Sequence, residues 1–379
     1  MPDPLYHEDR EFLAAHTNLI ELTDGRDARV AVAPEFQARV MTSSFGGNGG
    51  PSFGWINRPF IAAHTDNPQF NNYGGEDRFW LGPEAGQFGL WFQPGDQMTL
   101  KDFKTPAGFN SGPFEVTALS PREVTTTRQL AVTNYSGAVF ECGVRRTLRL
   151  LESDEAAAGL TAALPTGLRW VAFESINVLG NIGPAAWHPE SGLVCIWILG
   201  MFKPLPRGKV IAPFVPGDES TLGRRVNFYF GDVPADRITI AADYALFACD
   251  GACRTKIGIG PRRAKCAVGS WDPDAAVLTI VTFNLSAGAL RLPYVNSQWE
   301  LQEDPFGGDV VNSYNDGRDP VTGTVLGPFY ELETSSAAAI LEPGESLVHI
   351  HRTFHLTGPR SALGRVVKQA LGVDMAVLE

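Results

Sequence analysis

The chain has 379 residues, of which 44% are hydrophobic and 19% charged. That balance excludes wholesale disorder and supplies ample material for a core, and no composition shift divides it, so one domain over residues 1–379 is expected. The net charge of -11 sets the surface against nucleic acid, which is held by clustered Lys and Arg that neutralise phosphates.

In chain order, the N-terminus has no basic region followed by an apolar run, so no signal peptide is expected. No later stretch approaches the ~20 apolar residues of a membrane span. A cytoplasmic protein with no membrane contact is the default expectation. Glu8 to His16 has the pattern of a short helix. Beyond it, 40 glycines and 27 prolines punctuate the whole chain, and the runs between them alternate with period two or are β-branched and aromatic. Such runs are Ala28 to Ala33, Glu123 to Thr133, Val139 to Leu150, Leu193 to Leu199, Val277 to Phe283 and Ser346 to Phe354. Ser361 to Leu371 has apolar residues at helical spacing, with Ser361 as a candidate N-cap. No fixed-period repeat appears, which disfavours a propeller or solenoid. The prediction is all-β: a large sandwich of long antiparallel sheets with short N- and C-terminal helices.

Five segments concentrate chemistry-bearing side chains. Residues 71–92 hold Arg78, Trp80 and Glu84 among glycines that rule out a long helix. Aromatic rings beside carboxylates and an arginine suit a sugar, whose C–H face stacks while its hydroxyls need polar partners. Gly74 and Gly75 start no nucleotide-binding pattern. Residues 173–190 offer Asn177, Asn181 and His188, the last just before Pro189 and so in a turn near a strand start. Arg254 and Lys256, two apart, share one face of a strand. Residues 294–317 bring Trp299, Asn315 and Asp316, with Asn315-Asp316-Gly317 forming a tight-turn signal. Lastly, Glu331 and Glu333 share one face of a strand, opposite Tyr330 and Leu332. Two like charges on one enclosed face raise one pKa, which suits a carboxyl for proton transfer near neutrality. His349 and His351 share a face of the closing strand and read as structural. The five cysteines, odd in number in a long chain, read as free thiols. This reading assigns no metal and no cofactor.

Together these segments resemble the galactose mutarotase-like superfamily, which contains the aldose 1-epimerases. The likeness rests on Ala38 to Ser43, on Gly74 to Glu84 and on Tyr330 to Ser336 with the Pro-Gly turn at Leu341 to Glu345. Over nearly the full length the chain is similar to a bacterial branch of that superfamily, through Trp197 to Phe202, Tyr294 to Ser297 and Val311 to Gly317. The resemblance implies a β-supersandwich with a sugar in a groove on one sheet, opened on its ligand side by the strand at Ala38 to Ser43. In the epimerases a Glu takes the anomeric proton and a His donates to the ring oxygen. Glu333 matches the Glu position. The stretch Asn177 to Asn181 matches the strand that carries the His, so Asn177 stands in its place and His188 is the substitute acid. The implied function is a sugar epimerase, isomerase or lyase with a Glu base. The rival is a carbohydrate-binding protein that has lost its catalytic His.

Overall fold

The structure is a computed structural model and describes residues 3–285, 288, 291–319 and 323–378. Antiparallel strands dominate, in sheets of ten, six and three strands. The period-two runs explain why. Glu123–Thr133 and Val139–Leu150 form strands over the bounds their alternation predicts, as does Val277–Phe283. Along Val139–Leu150 every second residue from Phe140 to Leu150 is buried, so one face lies on the core. The expected helices form at Tyr6–His16 and Arg360–Leu371. The second is capped by Pro359 rather than Ser361, because Pro359 has the extended backbone of a cap and Ser361 already lies inside the helix.

The ten-stranded and six-stranded sheets pack face to face. Phe79 and Ile198 of the six-stranded sheet share a buried cluster with Phe140, Val144 and Leu179 of the ten-stranded one. Leu332, Ile257 and Val311 share another with Val210, Phe247 and Val281. Each such side chain stabilises by roughly 1.5–3 kcal/mol when fully buried. The three-stranded sheet, Ile20–Thr23, Arg29–Ala33 and Arg39–Ser44, is an addition that the two-sheet expectation lacked.

Polar contacts bolt the two large sheets together. Asp77 accepts from Arg146 and from Ser175, at 2.6 Å from the latter. Thr334 Oγ1 lies 2.8 Å from His349 Nε2 and 2.9 Å from His351 Nδ1. His355 Nε2 lies 2.8 Å from Glu76 Oε2, and Tyr330 shares a hydrogen bond with Ser270. His349 and His351 are buried and held neutral, with pKa values lowered by burial to about 3. Both are thus structural in position, between the sheets. Among the described residues no helix is long and apolar enough to cross a membrane.

Candidate functional site

The outer face of the six-stranded sheet carries a cavity of about 600 Å³, within the range of small-molecule sites. Strand register builds its floor. Lys256 pairs with Tyr314, Tyr314 with Glu331, and Glu331 with Met201. The next row on that face runs from Asn312 to Glu333, Leu199 and Arg78. Period-two alternation turns Glu331 and Glu333 to this face of Tyr330–Ser335, and Tyr330, Leu332 and Thr334 to the sandwich interior. Arg78 and Trp80 stand two apart on Arg78–Gly82 in the same way.

The charges on the floor are paired. Arg78 Nη2 donates to Glu331 Oε1 at 2.9 Å. Its guanidinium lies 3.8 Å from the ring centre of Trp80. Lys256 Nζ and Trp197 Nε1 both donate to Glu333 Oε2, each at 2.9 Å. Arg254 forms an ion pair with Asp319 and lies over the rings of Phe230 and Trp299. Trp299 Nε1 donates to Glu84 Oε2 at 2.8 Å.

The environments of the two strand carboxylates differ. Glu333 is fully buried beneath the floor, whereas Glu331 is 6% exposed and lines the cavity. Burial pushes the Glu331 carboxyl up to about 8; Arg78 opposes this and Glu333 adds to it. Burial also raises Glu84, against the pull of Lys256. For Lys256, burial disfavours the charge, but Glu333, Glu84 and Glu331 outweigh it and raise its pKa.

Arg78, Trp80, Glu84, Arg254, Lys256, Trp299 and Glu331 are thus brought together on one wall. The other candidates lie elsewhere. Asn177 is on Arg169–Asn181 in the ten-stranded sheet, where it accepts from Arg146 Nε at 3.0 Å and donates to Ser175 and His349 backbone oxygens. It is a member of the inter-sheet bolt. Asn181 is buried and ties the backbone at Gly183, Ala185 and Leu341. His188 is exposed, caps a short 3-10 turn and does not line the cavity, so it is not placed to act as the acid. Asn315 bonds Gly251 N and Cys253 O, which anchors the neighbouring loop. Asp316 accepts from Tyr314 and from the amides of Leu326 and Gly327, and so fixes a cavity-lining loop without lining the cavity itself. The tight turn expected at Asn315 to Gly317 is not a hairpin: the partner strand begins only at Tyr330. The strand Arg39–Ser44 lies in the small sheet, off the cavity.

The sequence reading did not pick out Trp197 as a site residue. Cys195–Phe202 is one of the two strands paired to Tyr330–Ser335, so Trp197 reaches Glu333, while Asn177 lies in the opposite sheet. Both faces of Cys195–Phe202 are buried, and its unbroken apolar run hides which face meets a ligand. Phe230, Phe103 and Asn72 also line the cavity, from loops whose positions no local pattern reveals.

The sequence pattern of the Family of unknown function (DUF6786) matches residues 4–379. The chain belongs to that family. No curated protein matches this DUF6786 chain. Its fold is galactose mutarotase-like: it superposes on a candidate aldose 1-epimerase from Escherichia coli K12 with TM-score 0.52 and 10% identity, over 90% of this chain and 99% of that one. A candidate mutarotase from Salmonella typhimurium gives TM-score 0.47 at 13% identity, over 93% of this chain and 100% of that one. A galactose mutarotase-like protein from Lactobacillus casei gives 0.46 at 11%, over 89% and 100%.

Proposed function

We propose that this protein is a carbohydrate-active enzyme of the epimerase or isomerase type, with its sugar in the cavity on the six-stranded sheet and Glu331 as the proton-transfer group. The observation that carries this reading is Glu331 itself: a carboxyl on the cavity wall, hydrogen-bonded to Arg78, with its pKa raised to about 8. A base poised near the working pH is the one best suited to proton transfer. Aromatic rings on the walls, Trp80, Trp299 and Phe103 among them, offer faces for a pyranose. The fold shared with a candidate aldose 1-epimerase supports the same class.

In this mechanism Glu331 takes the proton from the carbon beside the sugar carbonyl. The C–H electron pair moves into the new C–C double bond and the carbonyl π pair onto oxygen. Arg78 and Lys256 stabilise that oxyanion electrostatically, and return of the proton completes the exchange. Glu333 positions Lys256 and Trp197. The whole chain acts as one domain, because the carboxylate strand belongs to one sheet and is bolted to the other. All five cysteines are free thiols, which fits a reducing cytoplasm.

The test follows aldoses in D₂O by NMR. Wild-type protein should exchange the proton beside the carbonyl, and Glu331→Gln should lose at least ~100-fold in rate while still binding the sugar. Wild-type rates in that variant would sink the mechanism. A second reading, a sugar-binding protein without catalysis, has an observation in its favour: among the described residues no histidine lines the cavity. It predicts saturable binding with no exchange in either protein.

A further inference from the structure

The cavity is cationic in a chain that is not. Arg78, Lys101, Arg254 and Lys256 line it, although the net charge of the whole chain is -11. Two carboxyl groups, Glu84 and Glu331, stand on the wall with them. Three of these cations lie against carboxyl groups: Arg78 against Glu331, Lys256 against Glu333 and Arg254 against Asp319. Lys101 is exposed and forms no ion pair with a described residue. The remaining wall carboxyl, Glu84, receives the Trp299 indole and is pushed towards its neutral form by burial. Lys101 is therefore the one cation on the wall that lies against no carboxyl group among the described residues.

Hydrogen-bonding capacity points the same way. Nε and Nη1 of Arg78, Nε of Arg254 and Nε1 of Trp80 are buried with no hydrogen-bond partner among the described residues. The side chains of Arg78 and Arg254 are only 2% and 9% exposed. Leaving such donors unmatched costs about 1–3 kcal/mol each. Against these four donors, Asn72 Oδ1 is the one fully buried acceptor without a partner on the described wall. A neutral sugar brings hydroxyls that donate as readily as they accept. A negatively charged group that only accepts matches these donors better.

We propose that the sugar taken by this cavity carries a carboxylate, as in a uronic acid, with Arg78, Arg254 and Lys101 as the groups that read it. This rests on the sugar reading above and names the substrate class within it. Guanidinium groups suit the role because their planar donors match a carboxylate.

Titration calorimetry on the full chain at low salt decides the matter, with D-glucuronate, D-galacturonate, their parents D-glucose and D-galactose, and D-glucose 6-phosphate. At least one uronate should bind about tenfold more tightly than its parent, which is about 1.4 kcal/mol. Added salt should narrow that gap. Lys101→Ala, an exposed position where folding is not at stake, should shrink the ratio severalfold. Parents that bind as tightly as the uronates overturn the carboxylate inference and leave the sugar reading standing. Preference for the phosphate over every uronate overturns it too, by assigning a different anion. No binding by any of the five overturns the sugar reading itself, and the carboxylate inference falls with it.

Discussion

Glu331 and Glu333 sit two residues apart on one strand, yet their surroundings give them different work. Glu333 accepts from Lys256 and Trp197 and has no exposed surface, so it holds a cation in place. Glu331 faces the cavity, and its carboxyl is held as the neutral acid up to about 8, first by burial and then by the repulsion of Glu333. The sign of the resulting pH dependence follows directly. Below 8 most Glu331 is protonated and cannot take a proton, and the basic form grows about tenfold per pH unit as pH rises. In the proposed mechanism kcat/KM should therefore climb from pH 6 to about 8 and then level off. An ordinary carboxylate would already be level across that window. Rates measured from pH 6 to 9 check this, and a flat profile would remove Glu331 as the base. The sequence placed both carboxylates on one face because period two is local information. It could not rank them, because burial depth depends on what the neighbouring strands bring.

At the scale of elements, three strand bounds were legible residue for residue, since alternation is written into consecutive residues. Strand adjacency was not. Asn177 was expected at the position of the catalytic His, but its strand lies in the opposite sheet, and the carboxylate strand is flanked by Val311–Asn315 and Cys195–Phe202. Which strands pair across 130 residues is fixed by the whole topology rather than by any window of sequence. One clue to the pairing with Cys195–Phe202 does lie in the chain, at Gly200. A Cβ there would stand 2.5 Å from the backbone oxygen of Glu76 and 2.8 Å from the Phe202 ring. Gly200 pairs with Leu332 in the carboxylate strand, and Glu76 precedes the Asp77–Arg78 pair that reaches both sheets. Backbone cannot step aside as a flexible side chain can. Gly200→Ala should therefore cost about 1–3 kcal/mol, seen as a lower urea midpoint with an unchanged slope. Midpoints equal to wild type would show that the segment carrying Arg78 is looser than its packing implies.

For the whole molecule, the question is what keeps a cavity floor rigid when its parts come from residues 78 to 333. Glu76, Asp77 and Arg78 give an answer in three consecutive side chains: the first meets His355, the second Arg146, the third Glu331. Two of these contacts run to the ten-stranded sheet and one to the cavity. The Asp77–Arg146 pair has no exposed side-chain surface on either partner. Burial raises the Asp77 pKa, while Arg146 and Ser175 counter it by charge and hydrogen bond. Such a pair adds little net stability over an apolar substitute, but losing one member strands the other's charge. Asp77→Asn should therefore destabilise by roughly 3–5 kcal/mol, and Arg146→Met by a similar amount. The double variant should cost clearly less than the two added together, because neither charge is left alone. Urea unfolding of all four proteins closes the cycle. Additive losses would mean that the two residues act separately and that this pair does not couple the sheets. A positive coupling, together with weakened sugar binding in Asp77→Asn at temperatures where that variant is still folded, would tie the floor of the cavity to the sheet behind it.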